Sequence, residues 1–322
     1  VVFRGRVHEQ VVYSLEELGV EQRRADIVIV HQGYLDRSTM EAKVRRNIGL
    51  LLQEEEQEPG DFIRNFQLAG SNFFIGETDL AIQHMEKAVY GENDRRRSRF
   101  WHLSAYVQLG WMYKTTGRAQ RALEILDEAQ KIDPGNGLAK FFMGEIKYSQ
   151  GYYPEALEAL SSLSDDHFEV TPFALPLKKI RYLLRFYRGR CHQEQREFEE
   201  AVRQYEAAMS IDDRDPAAAK QLSAIHLKAG RHEEAKKVLR QLPATEMEDP
   251  AVLSNLALIH ARRGEVLEAG QAYVKALTLD PEFSEARANL GHLLLREKRF
   301  KEARGHLQEA AKQGRGWPDV HL

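Results

Sequence analysis

The sequence predicts an all-α protein of about seven stacked helix-turn-helix units, and two observations carry that prediction. A 34-residue period runs from residue 62 to residue 317, and a small residue, a turn glycine and an alanine recur within it at constant offsets. Periods of this length mark arrays in which each unit buries its apolar side against the next. A third observation limits the reading: the first sixty residues do not share the period.

The clearest copy runs from Leu103 to Asn136, with Tyr106, Leu109, Gly110, Tyr113, Gly117, Ala122, Leu126, Ala129 and Pro134 at positions 4, 7, 8, 11, 15, 20, 24, 27 and 32. One period later stand Met143, Gly144, Gly151, Ala156 and Leu160. A second run opens at Tyr182 with Gly189, Ala201, Tyr205 and Ala208, and continues through Leu222, Gly230, Ala235 and Leu239. It goes on through Leu256, Ala257, Gly264, Ala269, Tyr273, Ala276 and Pro281, then Leu290, Gly291, Ala303, Leu307 and Ala310. Before Leu103 there is one more copy, with Leu68, Ala69, Gly76, Ala81, Met85 and Ala88, degenerate at position 11 where Asn72 replaces a large residue. The copies are therefore 62–95, 103–136, 137–170, 182–215, 216–249, 250–283 and 284–317, with residues 318–322 as a tail.

This pattern resembles the tetratricopeptide repeat (TPR), and the resemblance implies a right-handed superhelix of helix pairs. In that arrangement the small residue at position 8 and Ala at position 20 face each other where the two helices cross. Positions 11 and 24 fill the volume beside the crossing, so Tyr113 is expected in the core. Gly117, Gly151, Gly230 and Gly264 sit where the first helix ends, in a left-handed conformation expected only of Gly or Asn. Pro134 and Pro281 stop or redirect the second helix, since proline has no amide donor.

Composition limits the function classes. A net charge of -3 argues against a dedicated nucleic-acid binder, which is ordinarily basic. The single cysteine, Cys191, has no internal disulfide partner and reads as a small buried residue. No apolar stretch has the length of a membrane span, and the N-terminus lacks a signal-peptide layout, so a cytoplasmic protein is expected. A chain starting at Val1 reads as a processed or excised fragment.

Residues 1–61 form a separate segment. Val2 to Val12 and Ala25 to Val30 read as two β-branched strands, and Ser38 to Glu56 as an amphipathic helix with Met40, Val44, Ile48, Leu51 and Leu52 on its apolar side. Two strands do not bury a sheet alone. The string Phe3-Arg4-Gly5-Arg6-Val7-His8-Glu9, then Ile27-Val28-Ile29-Val30-His31-Gln32-Gly33-Tyr34, then Lys43, Arg46, Asn47 and Leu51, resembles the end of a bacterial family-2 (GT-A type) glycosyltransferase domain. The resemblance implies sugar transfer from a nucleotide-sugar donor assisted by Mn or Mg. It implies a catalytic-cleft role for His8 and Glu9 and a metal- or diphosphate-contacting role for His31. The donor-binding half and its Asp-rich metal motif have no counterpart here, so this chain is expected to be inactive alone and to hold no cofactor.

The remaining expectation is a binding groove. In TPR arrays positions 2, 5, 6, 9, 12 and 13 of the first helix line the concave side. Here repeats one to four offer an aromatic half, Phe66, Phe73, Phe74, Trp111, Phe141, Phe142, Tyr148, Phe186 and Tyr187. Repeats five to seven offer a polar, mildly basic half, Lys220, Gln221, Lys228, Asn255, Arg262, Asn289, His292 and Arg296. Position 6 holds an amide in five of seven copies: Gln67, Gln108, Gln221, Asn255 and Asn289. An amide both donates and accepts, so such a row suits a peptide backbone of any sequence. The asparagine ladder of the O-GlcNAc transferase repeat array is the family comparison, matched literally by Asn255 and Asn289. Partners are thus expected to be a protein or an extended peptide, bound by these amides together with Trp111, Phe142, Tyr187, Lys220, Arg262 and Arg296.

Three further features stand out in the sequence. His192, His226 and His260 recur at position 11, facing the helix-pair interior, and read as packed imidazoles rather than a metal ladder. The first break in the period carries Arg95, Arg96, Arg97 and Arg99, a solvated helix start or a phosphate-binding cluster. The second, around Phe168 to Lys178 with Pro172 and Pro176, reads as a loop into a lengthened helix.

Overall fold

The computed structural model describes residues 37–91, 99–168, 177–212 and 215–313, and among them every regular element is helical. The two expected strands lie outside the described residues. Helix α1 spans Arg37–Gln57. Then come α2 (Phe62–Phe74), α3 (Thr78–Tyr90), α4 (Arg99–Thr115), α5 (Ala119–Ile132), α6 (Gly137–Ser149) and α7 (Tyr153–Ser161). The later helices are α8 (Leu177–Glu194), α9 (Phe198–Ile211), α10 (Pro216–Lys228), α11 (His232–Leu239), α12 (Pro250–Arg262), α13 (Val266–Leu279), α14 (Ser284–Arg296) and α15 (Phe300–Gln313). Two compact units divide the chain, Val1–Ile146 and Lys147–Leu322, with the boundary inside α6.

Each pair is joined by the same backbone device. The amide of position 16 reaches back to the carbonyl of position 11, as Arg118 N to Tyr113 O at 2.8 Å, Arg231 N to His226 O at 2.8 Å and Glu265 N to His260 O at 2.9 Å. With the shorter bond from position 15 to position 12, such as Gly117 N to Lys114 O at 3.1 Å, this is a Schellman ending that satisfies the last carbonyls of the first helix. It demands a left-handed residue at position 15, supplied by Gly76, Gly117, Gly151, Gly230 and Gly264. The expectation that only Gly or Asn serves there needs correcting. Arg196 (φ 62°) and Lys298 (φ 60°) occupy the same position in the fourth and seventh repeats. The surrounding helices hold them in a conformation that costs an ordinary L-residue about 1–2 kcal/mol.

The packing at position 8 also differs from expectation. A Cβ added to Gly110 would lie 2.6 Å from Leu126, one on Gly189 2.7 Å from the Tyr205 ring, and one on Gly291 2.7 Å from Leu307. The absent side chain makes room chiefly for position 24, while the position-20 backbone also comes close, Ala303 O lying 3.5 Å from a Cβ on Gly291. The position-20 alanines Ala81, Ala122, Ala156, Ala201, Ala235, Ala269 and Ala303 are nevertheless all fully buried. Tyr113 is buried as expected, with its hydroxyl donating to Glu86.

Three of the first helices are capped by aspartates that the repeat pattern did not single out. Asp61 Oδ1 accepts from Arg64 N at 2.7 Å, Asp215 Oδ1 from Ala217 N at 3.0 Å and Asp249 Oδ1 from Ala251 N at 2.9 Å. Behind the last two, Pro216 and Pro250 open their helices at the one turn that needs no amide donor. On α1, Leu51 is buried and Met40, Val44 and Ile48 are half-buried, but Leu52 is exposed, so the apolar side is narrower than predicted.

Candidate functional site: the face of the first helices

In the second unit the first helices of successive repeats lie side by side, α10 against α12 and α12 against α14. Their outward positions therefore form one surface, and side-chain bonds stitch it across the repeats. Asn255 Nδ2 donates to Ser223 Oγ at 2.9 Å, and Gln193 Nε2 donates to Gln221 Oε1 at 3.2 Å while Gln193 Oε1 accepts from the Tyr205 hydroxyl at 2.9 Å. Two members of the amide row are thus partly engaged within the fold. Asn289 is half-buried, and its side-chain amide has no partner among the described residues.

Cations border these amides. Lys220 is bound internally, 2.7 Å from Asp249 and 2.9 Å from Glu246. Burial disfavours its charge, but the two carboxylates outweigh burial and raise its pKa. Lys228, Arg262 and Arg296 are exposed. Arg296 reaches back only to the Ala261 carbonyl, at 3.4 Å.

In the first unit some of the same positions pack inward, although Phe74 at position 13 is exposed. Phe142 is 3% exposed, with the Lys114 ammonium 5.6 Å above its ring and that ammonium 2.5 Å from the buried Glu145 carboxylate. Trp111 packs on Phe73 with ring centroids 4.6 Å apart. Gln108 is buried and Gln67 half-buried. Tyr187, in the second unit, meets Tyr148 edge-on at 5.5 Å, with the Arg190 guanidinium 5.4 Å from the Tyr148 ring.

The three position-11 histidines have two different environments. His192 and His260 are half-buried and pair through Nδ1 with Glu197 at 2.6 Å and Glu265 at 2.5 Å, clasping the turn between helices. His226 is buried with Arg231 in place of the glutamate, and burial followed by that neighbouring cation lowers its pKa. Among the described residues no cluster of His, Cys, Asp and Glu could hold a metal ion. Cys191 is fully buried, which pushes its thiol pKa up to about 12. His8, Glu9 and His31 lie outside the described residues, as do Arg95, Arg96, Arg97, Pro172 and Pro176. No helix among the described residues is long and apolar enough to cross a membrane.

Two polar networks escaped the sequence reading. Glu55 accepts from Gly60 N at 2.9 Å, Arg64 at 3.0 Å and Asn65 at 3.0 Å, and Asn65 Oδ1 lies 2.9 Å from His84 Nδ1. Burial raises the Glu55 pKa, but the bonds from Gly60, Asn65 and Arg64 prevail and lower it. In the other network Arg188, buried where most copies carry Leu, donates to the Leu160 carbonyl at 2.6 Å and the Leu163 carbonyl at 2.5 Å. It supplies a cation to the C-terminal end of α7, which the helix dipole favours, although burial lowers its pKa to about 10. Position 7 was read as an apolar repeat position, which hid this role.

These features define a tetratricopeptide-type helical array. Residues 115–172 match the tetratricopeptide repeat model, and residues 186–320 match that of the cilia and flagella-associated protein 70 C-terminal domain. Among solved structures the chain is similar to the APC/C hetero-tetramer Cut9-Hcn1, at 13% identity over 86% of this chain and 52% of that chain, with a TM-score of 0.55. This chain therefore spans about half of that structure's chain. It is also similar to the C-terminal part of a TPR repeat-containing protein from Cytophaga hutchinsonii, at 12% identity over 78% of this chain and 96% of that chain, with a TM-score of 0.54. At these identities the likeness concerns the fold alone. Comparison with curated proteins gives no match.

Proposed function

We propose that this protein is a binding scaffold that holds a protein or an extended peptide along the first-helix face of its later repeats. The observation that carries the reading is the amide row Gln221, Asn255 and Asn289 on helices packed side by side, ending in an amide with no partner among the described residues. A half-buried amide is a ready donor and acceptor for a peptide backbone. The net charge of -3 favours protein over nucleic acid as the partner class, and cytoplasmic residence fits that role. The test is selection of binding peptides from a random library, then titration calorimetry. The double variant N255A/N289A is expected to weaken the selected peptide about tenfold, about 1.4 kcal/mol. Failure to select any peptide, or unchanged affinity of the variant, would contradict the proposal.

A finer reading makes this array the C-terminal part of a bacterial family-2 glycosyltransferase, presenting acceptor or partner to a metal- and nucleotide-sugar-dependent domain. Its support is the pair of strings around His8 and His31. A free-standing adaptor needs neither string, and both matched family models fall within the array that the two readings share. Incubating the 322-residue chain with nucleotide sugars and manganese separates one point: the account expects no transfer, and turnover would overturn it.

A further inference from the structure

Position 13, the last helical residue of each first helix, changes character along the chain. In the first four repeats it is Phe74, Thr115, Ser149 and Glu194, whereas in the last three it is Lys228, Arg262 and Arg296. All three cations are exposed, and none forms an ion pair among the described residues. A helix C-terminus favours a cation, and α4 and α6 meet that preference with Lys114 and Lys147 one and two residues earlier, whereas the last three first helices place theirs at one repeat position, in a column. Across α10, α12 and α14 the outward positions 2, 5, 6, 9, 12 and 13 carry a single acid, Glu285, while the chain as a whole is net acidic at -3. Lys220 on this face is matched by Asp249 and Glu246, which leaves Lys228, Arg262 and Arg296 as its exposed cations without an ion pair among the described residues.

We infer that this face takes an extended acidic peptide whose carboxylates recur at every third residue. The inference rests on the proposed scaffold role and specifies its partner. Packed helices lie about 8–10 Å apart. A polyproline II strand has three residues per turn and rises about 3.1 Å per residue, so every third side chain points the same way at a spacing of about 9 Å. One carboxylate then meets each of Lys228, Arg262 and Arg296 in turn. Positions 6 and 13 are two helical turns apart, about 10 Å along the axis, a gap that a glutamate and an arginine or lysine side chain bridge together. The strand therefore runs over the amide row while its acids reach the cation column. Its backbone makes no internal hydrogen bonds and is free to pair with Asn255 and Asn289.

The experiment uses the full chain and a fluorescein-labelled peptide of four Glu-Ala-Pro repeats, read by anisotropy at low salt. Binding is expected, weakening as salt screens the exposed charges. It should fall at least tenfold in K228E/R262E/R296E, with K228Q/R262Q/R296Q used instead if the reversal fails to fold. A Lys-Ala-Pro peptide should not bind. A peptide of the same composition with its four glutamates contiguous should bind at least fivefold more weakly. Equal binding by the charge variant, or by the contiguous peptide, would overturn the inference. So would tighter binding of a single-stranded DNA of equal charge, which would assign the column to a polyanion backbone. If N255A/N289A weakens a selected peptide while the charge variant does not, the acidic specificity fails and the scaffold reading stands.

Discussion

Position 6 does opposite work in the third and the seventh repeats. Phe142 in the first unit is buried beneath the Lys114 ammonium, whereas Asn289 in the second is a half-buried amide without a partner among the described residues. Polar groups are engaged inside the fold in both units, Glu55 of α1 with Asn65 and His84 in the first and Arg188 and Lys220 in the second, whereas Lys228, Arg262 and Arg296 stand exposed. A helical array needs stability from each repeat and its neighbours, but only part of its length needs to present a binding surface. Ring burial in one region and open polar chemistry in another is how this chain divides those tasks.

The largest expected effect tests the buried side of that comparison. Phe142→Ala should cost about 3–5 kcal/mol, as for other buried aromatic deletions, read as a lowered denaturation midpoint. A midpoint matching wild type would mean that the early face is as open as the late one. Next is Arg188→Leu, which restores the common residue at its repeat position but removes the side-chain donor from the Leu163 carbonyl and one of the donors to the Leu160 carbonyl. Losing these buried bonds should make it less stable by about 2–3 kcal/mol despite the better match to the pattern. A gain in stability would show that the pattern outranks the network.

A smaller effect has the opposite sign. Arg196→Gly and Lys298→Gly relieve a left-handed backbone, and each should stabilise by about 0.5–1 kcal/mol after the larger entropy of an unfolded glycine is counted. Chemical denaturation resolves this when the two are combined. The smallest effect concerns pH in the early region. Burial, then the nearby Lys87 charge, lowers the His84 pKa against the opposing pull of Glu55, so the unfolded chain takes up the proton first. Stability is therefore present above the unfolded value of 6.5 and is lost as pH falls through the lower folded value. Thermal melts of wild type between pH 7.5 and 5 should show this slope, and His84→Gln, which keeps a donor for Asn65, should flatten it.

Much of the fold was legible because it is periodic. The alanines at position 20 and the large residues at position 24 recur for steric reasons that act identically in each repeat. What the period obscured were its substitutions. Arg188 looks like a lapse at an apolar position until the carbonyl ends of the preceding helix are seen to lie within its reach. Arg196 and Lys298 break a glycine rule because tertiary packing holds a backbone conformation that local preference disfavours. The position-8 glycines were recognised, but their tightest contact, the position-24 side chain, was not, because spacing alone does not tell which residue of the second helix leans furthest toward the first. For the candidate site, sequence identified the amide row and cations but not which were internally engaged. Lys220 and Asn255 have bonds that depend on the neighbouring repeat, information absent from a single 34-residue unit.

The claim that the late face binds while the early face packs is tested most directly by titration calorimetry of a selected peptide against N255A/N289A, with the variant's unfolding midpoint measured beside it. The account predicts affinity reduced about tenfold, about 1.4 kcal/mol, with stability lowered by no more than about 0.5–1.5 kcal/mol, the cost of losing the Asn255–Ser223 bond. Unchanged affinity accompanied by a clear loss of stability would contradict it, since the amides would then belong to the fold and not to a partner.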